Sequence, residues 1–114
     1  MEIVNRTLDR VVCTRVTLAR TPWARTRGLI GRPPLTAGHG MLIEPCQGVH
    51  TFFMRHPIDV VFLDAEDRVV ALRESLRPWR LTRIFRQAHA TLELAAGAVA
   101  ELGLAVGHQL ERNH

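Results

Sequence analysis

Residues 40–70 read GMLIEPCQGVHTFFMRHPIDVVFLDAEDRVV, and this stretch carries most of the information in the chain. Most of it is apolar, but His50, Thr51, Arg55 and Asp59 are polar residues at positions where burial is expected. A buried polar group costs free energy unless it is hydrogen-bonded. The stretch therefore predicts both the centre of the fold and a group of polar side chains with a structural or functional role.

Composition predicts one small domain over residues 1–114. The chain is 46% hydrophobic and 23% charged, as is usual for globular domains. No apolar run approaches the roughly 20 residues that span a bilayer. The first residues lack the pattern of a signal peptide, so we expect a chain that begins near residue 1 in the cytoplasm. Cys13 and Cys46 are too few for a disulfide framework and are expected to be free thiols.

Strand patterns alternate with turn signals along the chain. Thr21-Pro22 predicts the start of a short helix that ends at Gly31, and Gly103 is the expected left-handed cap of a second helix over residues 96–102. Strands are predicted at residues 3–6, 10–16, 41–44, 49–54, 58–63, 68–74, 90–94 and 106–111. Many short strands with two brief helices predict an α+β, β-dominated fold, in which an antiparallel, barrel-like sheet is the expected form.

Five segments together resemble one known family. They are residues 40–42, 50–55, 57–64, 68–70 and 92–97. The combined pattern, over roughly residues 10–111, is similar to the prokaryotic family catalogued as domain of unknown function 192. The resemblance implies a compact β-rich fold and no particular reaction. Two positions depart from it: Asp67 stands where relatives usually have glycine, and His108 stands where they often have an acid.

A first candidate site comprises Cys46, His50, Thr51, Met54, Arg55 and Asp59. If residues 49–55 and 59–63 form a hairpin, its register decides which side chains meet. Pairing Arg55 with Asp59 gives an ion pair that locks the turn. Pairing Met54 with Asp59 places His50 and Asp59 in one apolar pocket. In a third interpretation, Asp59 and His50 bond backbone groups and hold the sheet together.

These residues support two classes of function. The leading hypothesis is a small binding or accessory module, in which the pocket near residues 46–59 takes a small polar or anionic ligand or a peptide segment. The alternative is a hydrolase-like or metal-assisted enzyme that uses His50 with Asp59 or Cys46. His50, His56 and Asp59 could hold a first-row metal, but no recognised zinc spacing is present, and we expect neither metal nor cofactor.

The basic residues suggest a third class of function. Every basic residue is arginine, a bias that codon usage also explains, and residues 68–86 contain six arginines against Glu74. Arg77, Arg80, Arg83 and Arg86 with Trp79 could hold phosphate or single-stranded nucleic acid. No nucleic-acid motif accompanies them, and the acidic middle of the chain disfavours a general basic surface. The alternative interpretation is a solvated loop in which Trp79 closes one end of the core.

Overall fold

The computed structural model describes residues 1–114 and contains eight strands and two short helices. In chain order they are β1 (Glu2–Asn5), β2 (Arg10–Cys13), β3 (Arg15–Ala19), α1 (Pro22–Arg27), β4 (His39–Ile43), β5 (Ile58–Leu63), β6 (Val69–Leu76), β7 (Ala90–Ala95), α2 (Ala98–Leu102) and β8 (Leu110–Asn113).

The strands form two sheets. One has five strands in the order β3-β4-β7-β5-β6, and the other has three in the order β2-β1-β8. All pairs are antiparallel except β3 with β4, which is parallel. All six residues of β5 are buried, as its nearly continuous apolar sequence predicts for a strand covered on both faces. The α+β, β-dominated fold with two helices is confirmed, although the sheets do not close into a barrel.

Alternation along the central strands sends side chains into two cores. Leu92 and Leu94 of β7 face the small sheet and α2. Met41 and Val60 of the neighbouring strands face the opposite side, where α1 and the loops at residues 29–35, 45–54 and 85–88 cover the sheet.

The two helices have six and five residues, and neither could span a membrane.

Local signals place the helix ends. The Thr21 hydroxyl accepts a hydrogen bond from the Ala24 N–H at 3.1 Å, with Pro22 in the first turn of α1, as predicted. The helix proper ends earlier than expected, at Gly28, whose φ is 51°. Gly103 caps α2 with φ of 68°, as predicted. Asp67 adopts the left-handed φ of 63° that the turn requires, which asparagine and aspartate tolerate better than most residues.

The predicted strand at residues 49–54 is wrong, and with it the hairpin to residues 58–63. In this segment only His50 forms an isolated bridge, with Leu81. Both edges of β5 are occupied by other strands, β6 and β7. A short apolar run does not distinguish a strand from a loop that covers a core, and residues 49–54 are such a loop.

Two other strands differ from the prediction by more than two residues at one end. The expected strand 10–16 is divided near Thr14, because β2 joins the small sheet while β3 joins the large one. The last strand begins at Leu110 rather than at Val106, because Gly107, with φ of 93°, lies in a turn before it.

Asp59 bonds three backbone groups rather than a side chain. It lies opposite Leu94 of β7, so neither predicted register of Asp59, with Arg55 or with Met54, is present. Its carboxylate has no exposure to solvent and accepts hydrogen bonds from the N–H groups of Ser75 (2.8 Å), Gly97 (3.1 Å) and Val99 (2.8 Å). It therefore links β5 to the bulge of β6 and to the first turn of α2.

We predict that Asp59→Ala lowers the free energy of unfolding by about 3–5 kcal/mol, because three buried N–H groups lose a charged acceptor. Chemical denaturation monitored by circular dichroism measures the change. Glu66→Ala, which removes an exposed carboxylate in the next turn, is the matched control and should change the value by less than about 0.5 kcal/mol. Equal effects of the two substitutions would contradict this role of Asp59.

Candidate functional site

The structure brings together half of the first predicted group. Cys46, His50 and Met54 line a cleft between α1 and the covering loop at residues 45–54. Asp59 is excluded from it, because its carboxylate faces α2 on the other side of the sheet. Thr51 is fully buried away from the cleft, and Arg55 lies at one end of the cleft. The predicted constellation is therefore divided among three places.

Three adjacent cavities that share lining residues make up the cleft. A central chamber of about 70 Å³ shares Arg25, Cys46 and His50 with an open outer cavity of about 680 Å³. On its other side the chamber shares Leu29 and Met54 with a cavity of about 560 Å³. The cleft therefore runs along α1 and the residues that follow it, with the central chamber between two wider ends.

Glu93 of β7 lies at the central chamber, and the sequence analysis missed it. It is opposite Met41 on one side and Val60 on the other, and only 3% of the residue is exposed. No side chain or backbone group hydrogen-bonds to its carboxyl, and burial raises its pKa to about 8. At neutral pH Glu93 is therefore largely uncharged, with one O–H donor and a carbonyl acceptor available to the chamber.

Gly28 lies next to the Glu93 carboxyl. A methyl group at its Cα would make an ordinary contact of 3.7 Å with Glu93 Oε1, so glycine is required there by the φ of 51°, which is unfavourable for other residues, and not by lack of space. Since Gly28 ends α1, the helix terminus lies directly above the carboxyl.

Arg25 contributes a second polar atom without a partner. Its Nη1 donates to the Pro45 carbonyl at 3.2 Å, but its Nε is shielded from solvent and has no hydrogen bond. Arg25 and Glu93 line the same chamber. The chamber thus holds two buried polar groups with unused hydrogen-bonding capacity, which are uncommon in folded proteins.

Cys46 and His50 do not form a catalytic pair. The Cys46 thiol donates to the Gly48 carbonyl at 3.2 Å, and burial raises its pKa. His50 Nδ1 accepts a hydrogen bond from the Phe52 N–H at 3.2 Å. Because the thiolate is the nucleophilic form, this arrangement disfavours cysteine catalysis. His50 and Asp59 are on opposite sides of the sheet, so the hypothesis that these two residues act together in catalysis also lacks its geometry. His50, His56 and Asp59 do not converge on a metal site.

Thr51 and the arginine-rich segment form a separate feature. The Thr51 hydroxyl donates to the Arg77 carbonyl and accepts from the Arg80 N–H at 2.9 Å. The predicted residues Arg77, Trp79, Arg80, Arg83 and Arg86 are all exposed. The expectation that Trp79 closes the core is wrong, since 56% of this residue is exposed.

The sequence held one signal for the missed residues. Glu93 is a lone acid between Leu92 and Leu94 in a strand, and the reasoning that singled out Asp59 applies equally to it. Arg25 is one of many arginines and has no distinguishing pattern.

Comparisons with known proteins agree on the fold and assign no function. The model of the family DUF192, described as "Uncharacterized ACR", matches residues 3–112. A UPF0127 protein from Thermococcus sibiricus is 32% identical over 114 residues, which cover 96% of this chain and 73% of that protein. A UPF0127 protein from Pyrococcus furiosus is 42% identical over 65 residues, 57% of this chain and 55% of that protein.

Two solved structures are similar over nearly the whole chain. A protein of unknown function from Novosphingobium aromaticivorans has a TM-score of 0.86 and 26% identity, covering 98% of this chain and 84% of that one. A protein from Sinorhizobium meliloti, provisionally named a transcription regulator, has a TM-score of 0.82 and 25% identity, covering 96% of this chain and 89% of that one.

We predict that stability falls between pH 5 and pH 8 because of Glu93. Its folded pKa of about 8 is above the ordinary value of 4.5, so the folded protein keeps a proton that the unfolded chain releases. The free-energy cost of burying Glu93 is smallest below about pH 4.5, where the unfolded chain is protonated as well, and it increases until the pH reaches about 8. The loss is at most about 4 kcal/mol over these three units.

Urea denaturation of the wild type and of Glu93→Gln across this range measures the difference. The glutamine variant keeps the size and polarity of the side chain but cannot ionise, so its stability should exceed that of the wild type by a margin that grows with pH. Arg25, Arg27, Cys46 and His50 also line the chamber and are unchanged in the variant. Parallel curves for the two proteins would show that Glu93 titrates normally.

Proposed function

We propose that this chain, which belongs to the uncharacterised family DUF192, is a small binding or accessory module that holds a polar ligand in the cleft between α1 and residues 45–54. The observation that carries the proposal is the Glu93 carboxyl, buried at the central chamber without a hydrogen bond. Burial of Glu93 lowers folding stability, and its carboxyl forms no hydrogen bond within the protein, so this carboxyl is available to a ligand.

The two polar groups define the ligand chemistry. An uncharged Glu93 can donate its proton to one atom and accept from another, and the free Arg25 Nε–H is a donor. A carboxamide, a peptide group or a protonated carboxyl offers the complementary acceptor and donor side by side. The apolar lining by Ile43 and Met54 favours a ligand that is otherwise apolar.

The end of the cleft beyond Met54 suits a polar or anionic group. Arg32, Arg55 and His56 are among the residues that line the 560 Å³ cavity, whose lining includes no acid. Leu35, Pro57 and Ile58 line the same space. A ligand with its amide or carboxyl at Glu93 would therefore extend past Met54 towards these three basic residues.

We further propose that residues 1–114 act as one domain in the cytoplasm. One core combines Ile3 of the small sheet with Leu92 of the large one, which supports joint folding. Cys13 and Cys46 are free thiols, as is usual in a reducing compartment. Fractionation of cells that express the tagged full-length protein tests the location.

The ligand hypothesis predicts that Glu93→Leu abolishes binding while Glu93→Gln retains most of it. A library of small carboxamides and carboxylic acids, screened by ¹H–¹⁵N NMR, should shift resonances at residues 25–30, 46–54 and 93. Leucine removes both the donor and the acceptor, so affinity should fall at least tenfold, whereas glutamine keeps one of each. Wild-type affinity should also fall above about pH 8, and that of Glu93→Gln should not.

Glu101→Gln, on the exposed side of α2, is the control and should bind as the wild type does. A hit that binds Glu93→Leu unchanged would contradict the proposed site, as would a library that shifts no resonance in the cleft.

A further inference from the structure

A second surface lies beside the cleft, where residues 77–86, the basic arm, run antiparallel to residues 47–51. Backbone bonds join them from the Phe85 N–H to the Gln47 carbonyl, from Thr82 to Val49 and from Thr51 to Arg80, each at 2.9 Å. A methyl group on Gly48 would lie 3.0 Å from the Arg83 carbonyl oxygen. The arm is therefore packed directly on the covering loop and is not a free loop.

Four rings cluster at one end of the arm. His50 stacks on Phe52 at 5.0 Å between centroids, Phe52 stacks on Trp79 at 5.9 Å, and Phe53 meets Trp79 edge to face at 4.8 Å. Phe53 and Trp79 are 67% and 56% exposed. Both have positive φ, 66° and 63°, which is an unfavourable backbone conformation for bulky residues.

Buried hydrogen bonds hold this strained arrangement. The fully buried Thr51 bonds Arg77 and Arg80 through its hydroxyl, and its carbonyl accepts from the Trp79 N–H at 3.0 Å. The fold thus stabilises a conformation that exposes two large rings in fixed orientations. Strain of this kind is concentrated at functional sites.

The charged residues of the basic arm are all arginines. Arg77, Arg80, Arg83 and Arg86 lie on the arm, and none forms an ion pair. The guanidinium groups of Arg73 and Arg83 lie 4.9 and 4.8 Å from the centre of the Phe85 ring, which orders their positions. Such a surface would repel a second copy of itself and would attract a polyanion.

We propose that the basic arm and the ring cluster bind single-stranded nucleic acid, with bases stacked on Trp79 and Phe53 and phosphates held by the arm's arginines. Fixed ring planes favour this partner over an anionic membrane, since base stacking requires an oriented ring and insertion into a lipid surface does not. This site borders the cleft, since His50 also lines the central chamber and Phe53 the 560 Å³ cavity, but it does not use Glu93 and does not depend on the cleft proposal.

The test is fluorescence anisotropy with two fluorescein-labelled oligonucleotides of 12 nucleotides, a DNA oligothymidylate and an RNA oligoadenylate. The wild type should bind in 50 mM KCl and lose affinity steeply as salt increases. Trp79→Ala should weaken binding at least fivefold, and Trp79→Phe, which keeps a ring, should weaken it less. Trp23→Ala removes the other exposed tryptophan, which lies on α1 and not on the arm, and should leave binding unchanged.

The double variant Arg80→Ala/Arg83→Ala should reduce the steepness of the slope of log K against log salt by about 1.4, since each phosphate contact on a single strand contributes about 0.7 to that slope. Arg15→Ala, an exposed arginine on β3, is its control. Absence of oligonucleotide binding at 50 mM KCl would overturn the proposal, as would equal effects of Trp79→Ala and Trp23→Ala. Binding to vesicles of phosphatidylserine and phosphatidylcholine without oligonucleotide binding would instead assign the surface to a membrane.

Discussion

The three hydrogen bonds to the Asp59 carboxylate are the interaction on which the rest of the structure depends. They link the central strand β5 to the bulge at Ser75, to Gly97 before α2 and to Val99 in the first turn of α2. This fixes β7 against β5 with Leu94 opposite Asp59 and Glu93 opposite Val60. Because side chains alternate between faces, a shift of one residue would move Glu93 to the opposite core. The position of the candidate site is therefore a consequence of the Asp59 bonds.

Asp59 and Glu93 show what burial does to two acids on neighbouring strands. Asp59 is satisfied by three backbone N–H groups, so it stabilises the fold and offers nothing to a ligand. Glu93 has no partner, and burial raises its pKa to about 8, so it contributes chemistry rather than stability. A native structure retains few such groups, because an unsatisfied buried polar group costs about 1–3 kcal/mol. This contrast separates the structural acid from the one that is available for binding.

Much of the fold could be predicted from the sequence because the signals were local. The apolar run of β5, the Thr21-Pro22 start of α1 and the glycine at the end of α2 each depend on neighbouring residues alone. The segment 49–54 could not be predicted in this way. Its apolar residues pack over one face of the sheet. The segment is excluded from the sheet because β6 and β7 already occupy both edges of β5. The candidate site depended on this segment, so Cys46, His50 and Met54 were found while Asp59 was misplaced. Glu93 and Arg25 meet only through the tertiary fold.

The covering loop connects the two surfaces. Gly48 lines the cleft on one side and supports the basic arm on the other, and Thr51 holds the arm's backbone. Binding in the cleft requires that Glu93 be buried and uncharged at neutral pH. A pH titration of the side-chain carboxyl carbons by ¹³C NMR tests it most directly, with the Glu93 signal assigned from Glu93→Gln. We predict a midpoint near pH 8. A midpoint near 4.5, like that of an exposed glutamate, would contradict the account.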